Sequence, residues 1–224
     1  VAWAVLQPLS LVVLYWFVFT IMIPRGPGTD GHYIEFLICG LLPWLGLSEG
    51  ITRSTSSIVE NAQMVRKLSF RSELLVIVPN ASAMLFEMIA LVLFCIVLLV
   101  RGESLRGMWA MPLALMLQFL LQLGVGLCLA AVYVFFRDLT QIIGFVLSIL
   151  FYLSPILYSV PARFADAFAW NPMTPLLGLF RHAMLLAPLP PVGSLVFLLV
   201  VASVATTGGL LFFRRAQPSL VDLV

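Results

Sequence analysis

The stretch SEGITRSTSSIVENAQMVRKLSFRSE, residues 48–73, is the longest polar interval in a chain otherwise dominated by apolar side chains. The runs on either side of it, residues 33–47 and 74–100, are apolar enough to enter a bilayer, and the interval between them is not. That contrast decides the fold class: spanning segments joined by a cytoplasmic elbow. In the first half of the interval Glu49, Arg53, Ser56, Ser57 and Glu60 recur every three or four positions, the spacing of one helix face. The second span is therefore expected to continue as a helix past the membrane surface. Residues 61–73 mix Met64, Val65, Leu68 and Phe70 with Arg66, Lys67 and Arg71, which predicts a short amphipathic helix followed by a turn. Two readings fit it: a basic helix resting on anionic headgroups, or a docking helix for a cytoplasmic partner.

Working outward, the composition agrees. Of 224 residues, 62% are hydrophobic and 10% charged, against roughly 25% charged in a soluble domain, and the mean hydropathy is +1.11. A spanning helix takes about 20 apolar residues, which leaves room for six in one polytopic domain covering 1–224. The expected fold is an all-α integral membrane protein with spans at about 1–23, 33–52, 74–100, 108–136, 139–158 and 192–213, and an elbow at 53–73. Pro79, Asn80, Ser82 and Glu87 are expected to interrupt the third span. Seven of the 14 prolines crowd into residues 155–191, where the apolar pieces 162–170 and 175–186 are too short to cross. They predict re-entrant or interfacial helices between spans five and six, in an outer region at 160–191. The apolar run starts at Val1 without the charged flank that orients a first span, so a short cytoplasmic segment is expected before it.

Orientation follows from the basic residues. Arg53, Arg66, Lys67, Arg71, Arg137, Arg214 and Arg215 fall on the elbow side, and Arg25, Arg101, Arg106, Arg163 and Arg181 on the other. The bias puts the elbow, and with six spans both termini, in the cytoplasm.

No zinc-protease, thiol-redox or nucleotide-binding motif is present: H-E-x-x-H, C-x-x-C and G-x-x-x-x-G-K-[ST] are all absent. Cys39, Cys95 and Cys128 sit singly in apolar runs, in neither a disulfide nor a metal pattern. The net charge of +2 does not suit a nucleic-acid binder. Glu49 and Glu87 are the carboxylates deepest in apolar context, where a charge costs roughly 2.5–3.5 kcal/mol. Glu49 has Arg53 one turn on; Glu87 has no local partner and is expected to face the protein interior, as a buried neutral acid or as a proton relay. Phe151, Tyr152, Tyr158, Phe164, Phe168, Trp170 and Phe180 cluster toward the outer side, as an interfacial aromatic belt or as faces on which sugar rings stack.

Four features together resemble a known family: GLLPWLGLSEGITRSTSSIVENAQMVRKLSF (residues 40–70), VYVFFRDLTQIIGFVLSILFYLSPILY (132–158), WNPMTPLLGLFRHAML (170–185) and the six-span layout. The chain is similar to the transmembrane subunits of ABC-2-type exporters of bacterial polysaccharides such as O antigen, capsule and teichoic acid. The resemblance implies a half-transporter in the bacterial inner membrane that pairs as a homodimer. Two separate ATP-binding subunits would dock beneath it and hold the ATP and magnesium, with no cofactor in this chain. Glu60, Asn61, Met64, Val65, Arg66, Lys67 and Leu68 would match the coupling region, and Arg137 and Asp138 a second cytoplasmic contact. A lipid-linked polysaccharide would pass between the two copies, along a path taking in Trp44, Phe151, Tyr152, Tyr158, Trp170 and Arg181. Arg66, Lys67 and Arg71 are placed to attract its pyrophosphate. The competing functions are an ABC-2 permease for a small amphiphile or drug, and an ion-coupled secondary transporter, which would need midplane ion sites.

Overall fold

The computed structural model describes residues 33–63 and 72–223. The first expected span and residues 64–71 of the elbow lie outside these. Among the described residues every regular element is a helix: α1 (Tyr33–Glu60), α2 (Glu73–Val100), a 3₁₀ turn (Arg106–Ala110) leading into α3 (Met111–Phe135), α4 (Leu139–Leu153), a second 3₁₀ turn (Ala162–Phe164) before the short α5 (Ala165–Ala169), α6 (Met173–Leu185) and α7 (Val192–Leu223).

Four helical stretches are long and apolar enough to cross a membrane, Tyr33–Glu60, Glu73–Val100, Arg106–Phe135 and Val192–Gln217. The least hydropathic of them is the most enclosed: α1 has a hydropathy of 1.5 with 67% of its window buried, whereas α2 reaches 2.9 with 33% buried. A lipid-facing helix must be apolar all round, while a central one can turn polar side chains toward its neighbours. Accordingly α1 packs against α2, α3, α4 and α6, and α2 turns Val78, Leu85, Ile89, Val92 and Ile96 outward.

As expected, the helix after Tyr33 runs on to Glu60. Three expectations are corrected. Pro79, Asn80, Ser82 and Glu87 do not interrupt α2, which is continuous through all four. Neighbouring helices and side chains can re-satisfy the backbone around a membrane proline. The helix expected to reach 158 stops at Leu153 because Ser154 precedes Pro155 and takes the extended backbone that a following proline imposes (φ −93°, ψ 144°). At 15 residues α4 is about 22 Å long, short of the ~30 Å hydrocarbon core. The last helix passes Arg214 and Arg215, since charge alone does not end a helix.

Between α4 and α7 the expected short helices are present as α5 and α6. The latter is a plug rather than a span: Leu176, Leu177, Leu179, Phe180 and Ala183 are fully buried, and a methyl on Gly107 would lie 2.1 Å from the carbonyl oxygen of His182. α3 and α7 also approach closely: a methyl on Gly124 would meet the Ala205 backbone at 2.3 Å, and Thr206 donates to the Leu120 carbonyl at 2.6 Å. At the elbow end Ile58, Val76, Leu127, Ala130 and Phe213 form a separate small core, and Arg214 pairs with Glu73 (3.1 Å). At the far end Arg101 pairs with Glu35.

Candidate functional site

A cavity of about 420 Å³ opens between α1 and α4. Leu41, Trp44, Leu45 and Ser48 recur at helical spacing on one face of α1; Gly144, Leu147, Ser148, Phe151 and Tyr152 do so on α4. The ring of Trp44 lies 5.8 Å from that of Phe151, tilted by 56°, and Phe151 meets Tyr152 edge-on at 5.3 Å. Ser48 and Ser148 donate to the carbonyls of Leu45 (3.1 Å) and Gly144 (2.8 Å), which leaves their oxygens as acceptors in a groove otherwise lined by leucine and aromatic side chains. Of all α4, only Ile143 is buried; Ile142, Phe145 and Ile149 are exposed. The groove therefore has one well-supported wall, α1, and one wall standing away from the bundle.

Three of the six expected path residues, Trp44, Phe151 and Tyr152, come together here. Tyr158 joins them indirectly, donating to the Tyr152 carbonyl at 2.9 Å and meeting Phe168 edge-on. The other two lie elsewhere. Trp170 is 77% exposed and packs on Phe197 of α7. Arg181 is buried in α6, donating to the carbonyls of Pro155 (2.6 Å) and Ile156 (3.2 Å), with its guanidinium 3.5 Å from the Phe36 ring centroid. It organises the far end of the bundle rather than lining the groove.

The expected Glu49–Arg53 pair forms at 3.2 Å, with both side chains about half exposed. Glu87 faces the interior, as expected, and its partner is Gln118 of α3. Of the expected coupling residues, Glu60 is exposed at the end of α1, and Asn61 caps it by donating to the Ser57 carbonyl (2.8 Å). Arg137 and Asp138 are exposed in the turn between α3 and α4. Both sets stand at the elbow end, because Ile58 of α1 shares its core with Ala130 and Ala131 of α3. Met64, Val65, Arg66, Lys67, Leu68 and Arg71 lie outside the described residues.

Sequence reasoning missed a second polar feature: a seam on the opposite face of α1, where Ser54, Asn80, Gln118 and Gln122 are all fully buried. The available signal was spacing. Gln118 and Gln122 stand one turn apart, as do Gly46, Gly50 and Ser54, and Asn80 precedes Glu87 by two turns.

A family model described as ABC-2 type transporter matches residues 1–185. The O-antigen export system permease protein RfbA of Klebsiella pneumoniae is 29% identical over 184 residues, covering 78% of this chain and 68% of that protein. The protein of the same name from Myxococcus xanthus is 26% identical, over 99% of this chain and 86% of its own length. The polysialic acid transport protein KpsM of Escherichia coli is 23% identical, over 98% and 86%.

Proposed function

Since the chain belongs to the ABC-2 type transporter family, we propose that it is the permease subunit of an ATP-driven exporter that moves a lipid-linked polysaccharide, such as O antigen, across the bacterial inner membrane. ATP is hydrolysed on two separate partner subunits, where the nucleotide and its magnesium are held. The observation that carries the cargo class is the groove of Trp44, Phe151 and Tyr152, with hydroxyl oxygens of Ser48 and Ser148 among the rings. Flat aromatic faces accept sugar rings at many positions without fixing one, which suits a polymer that must slide, and the names of the relatives point the same way.

In this reading the elbow end is cytoplasmic, as the basic residues favour. The exposed turn at Arg137 and Asp138 and the end of α1 at Glu60 and Asn61 receive the ATPase subunits. A coupled motion needs contacts that differ between two states; α4 suits this, being lightly packed, with Ile143 its one buried residue. A second copy of the chain supplies the other half of the passage, facing the exposed side of α4. Arg66, Lys67 and Arg71 attract the pyrophosphate of the lipid carrier.

The test is co-purification with an ATPase subunit and measurement of its hydrolysis in nanodiscs with and without a lipid-linked glycan. Stimulation by the glycan and not by a small amphiphile supports the reading. Stimulation by amphiphile alone makes the chain a permease for small molecules, and charge reversal at Lys67 and Arg71 without effect removes the pyrophosphate role.

A further inference from the structure

Three rows of side chains, one from each of α1, α2 and α3, meet inside the bundle. The first helix offers Gly46, Gly50 and Ser54, the second Asn80 and Glu87, the third Gln118, Gln122 and Gly126. Glu87 sits against Gly46 and Gln118, while Asn80 sits against Gly50, Ser54 and Gly126 and accepts from Gln122. Each polar member is at most 4% exposed. The glycines let the polar side chains lie directly against the backbone: a methyl on Gly126 would stand 3.1 Å from the Asn80 amide nitrogen.

A count of hydrogens shows what the seam lacks. Gln118 spends both amide hydrogens, on Glu87 Oε2 and on the Pro43 carbonyl (3.2 Å). Asn80 spends both, on Ser54 Oγ and the Val76 carbonyl. The Ser54 hydroxyl donates to Val76 O (3.3 Å), and Gln122 to Asn80 O (3.4 Å). Four oxygens then find no donor among the described residues: Glu87 Oε1, Gln118 Oε1, Asn80 Oδ1 and Gln122 Oε1. Two of them converge on the bare backbone of Gly50, where a Cβ would lie 3.0 Å from Asn80 Oδ1 and 3.2 Å from Gln122 Oε1.

Against them stands one unspent hydrogen, the second on Gln122 Nε2, so the surplus is of acceptors. A buried acceptor left unpaired costs about 1–3 kcal/mol, and such groups are ordinarily met by ordered water making two to four hydrogen bonds. What fits must be small, must donate at least two hydrogens, and must lie among side chains from three helices. We propose that this seam is an internal hydration site, in which bound water bridges Glu87 and Gln118 to Asn80 and Gln122. It is distinct from the groove: Trp44 and Ser48 leave α1 on the side opposite Gly46 and Gly50. Along these rows α1 meets α2 and α3 through glycine backbone and polar atoms, beside the apolar core of Leu47, Ile51, Leu91, Leu117 and Leu121.

The test uses the complete transporter, with its ATPase subunits, in nanodiscs. X-ray radiolysis turns bound water into hydroxyl radicals that oxidise whatever it touches. A thiol introduced by Ser54→Cys should oxidise several-fold faster than Cys39, which is fully buried in the apolar core, and Gln122→Leu in the same background should slow it toward the Cys39 rate. Independently, a water-resolving cryo-EM map of the unmodified protein should show density within hydrogen-bond reach of Asn80 Oδ1 and Gln122 Oε1. Equal oxidation of the two thiols, or a map with the amide oxygens packed directly on Gly50, overturns the proposal. So does a saturable rise in melting temperature with sodium over choline chloride, which would assign the oxygens to a metal cation.

Discussion

Gly46 lies so close beneath Glu87 that a methyl group on it would sit 1.9 Å from the carboxylate Oε2 and 2.6 Å from Cδ. The contact ties the most polar point inside the bundle to the absence of a side chain one helix away. Gly46→Ala should therefore lower stability by roughly 1–3 kcal/mol, the usual cost of overpacking, read as a drop in melting temperature in detergent. Glu87→Ala alone opens a cavity and should also destabilise. The double variant should recover much of the loss, because each change removes the other's defect. Additive losses would mean that the two residues are not in contact.

The approach of α3 to α7 rests on Gly124 and Gly209, each of which would meet the partner's backbone at 2.3 Å if given a Cβ. Small residues let membrane helices approach at this distance. Backbone cannot step aside as a flexible side chain can, so Gly124→Leu should abolish recovery of folded protein from membranes. Thr206→Val keeps the shape and loses the hydroxyl that is shared between the Leu120 carbonyl of α3 and the Ala202 carbonyl of its own helix; it should cost roughly 0.6 kcal/mol, the average for such bonds between membrane helices. Size-exclusion profiles and melting temperatures of the two variants distinguish the effects.

These contacts also mark how far the sequence could be read. The apolar runs gave the positions of α1, α2, α3 and α7, and the spacing of Glu49 and Arg53 gave their ion pair. The end of α4 was legible in principle, because a residue before proline is pushed out of the helical region, but the apolar Ile156 and Leu157 carried the expected span past it. Pro79 misled in the other direction, since neighbouring helices sustain α2 through it. The seam was legible only in part: the spacing of Gln118 and Gln122 marked one polar helix face. Asn80, Gln118 and Gln122 each look like a local interruption of a span, and only the relative register of three helices brings them together.

The groove makes a prediction about which aromatic residues matter. Trp44 and Tyr152 line it beside Phe151, whereas Trp170 lies outside on Phe197. A ring contact contributes roughly 0.5–1.5 kcal/mol, so Tyr152→Ala should slow glycan export several-fold with unchanged yield of folded protein, and Trp44→Phe, which keeps a ring at a position only 6% exposed, should slow it less. Trp170→Ala should stay near the parent rate. Export assayed in cells by surface glycan, normalised to membrane-inserted protein, separates them; equal loss in all three would return the aromatics to an interfacial belt.

Arg181 makes the last prediction, because it and Tyr33 hold three consecutive carbonyls where α4 has ended. Its Nη2 donates to Pro155 O and Ile156 O, and the Tyr33 hydroxyl donates to Leu157 O at 2.8 Å. These bonds link the segment after α4 to α6 and α1, and α4 has little packing of its own to hold it. Arg181→Met removes the donor and leaves two acceptors short of partners, at about 1–3 kcal/mol each. Arg181→Lys keeps a charged donor but not the planar guanidinium that lies on the Phe36 ring, so it should rescue only partly. The defect should be local: a cysteine placed at Tyr158 should react faster with a membrane-impermeant thiol reagent in Arg181→Met, while the melting temperature falls less than in Gly124→Leu. If reactivity at that position is unchanged, the guanidinium is a passive core group and the carbonyls are held by the backbone alone.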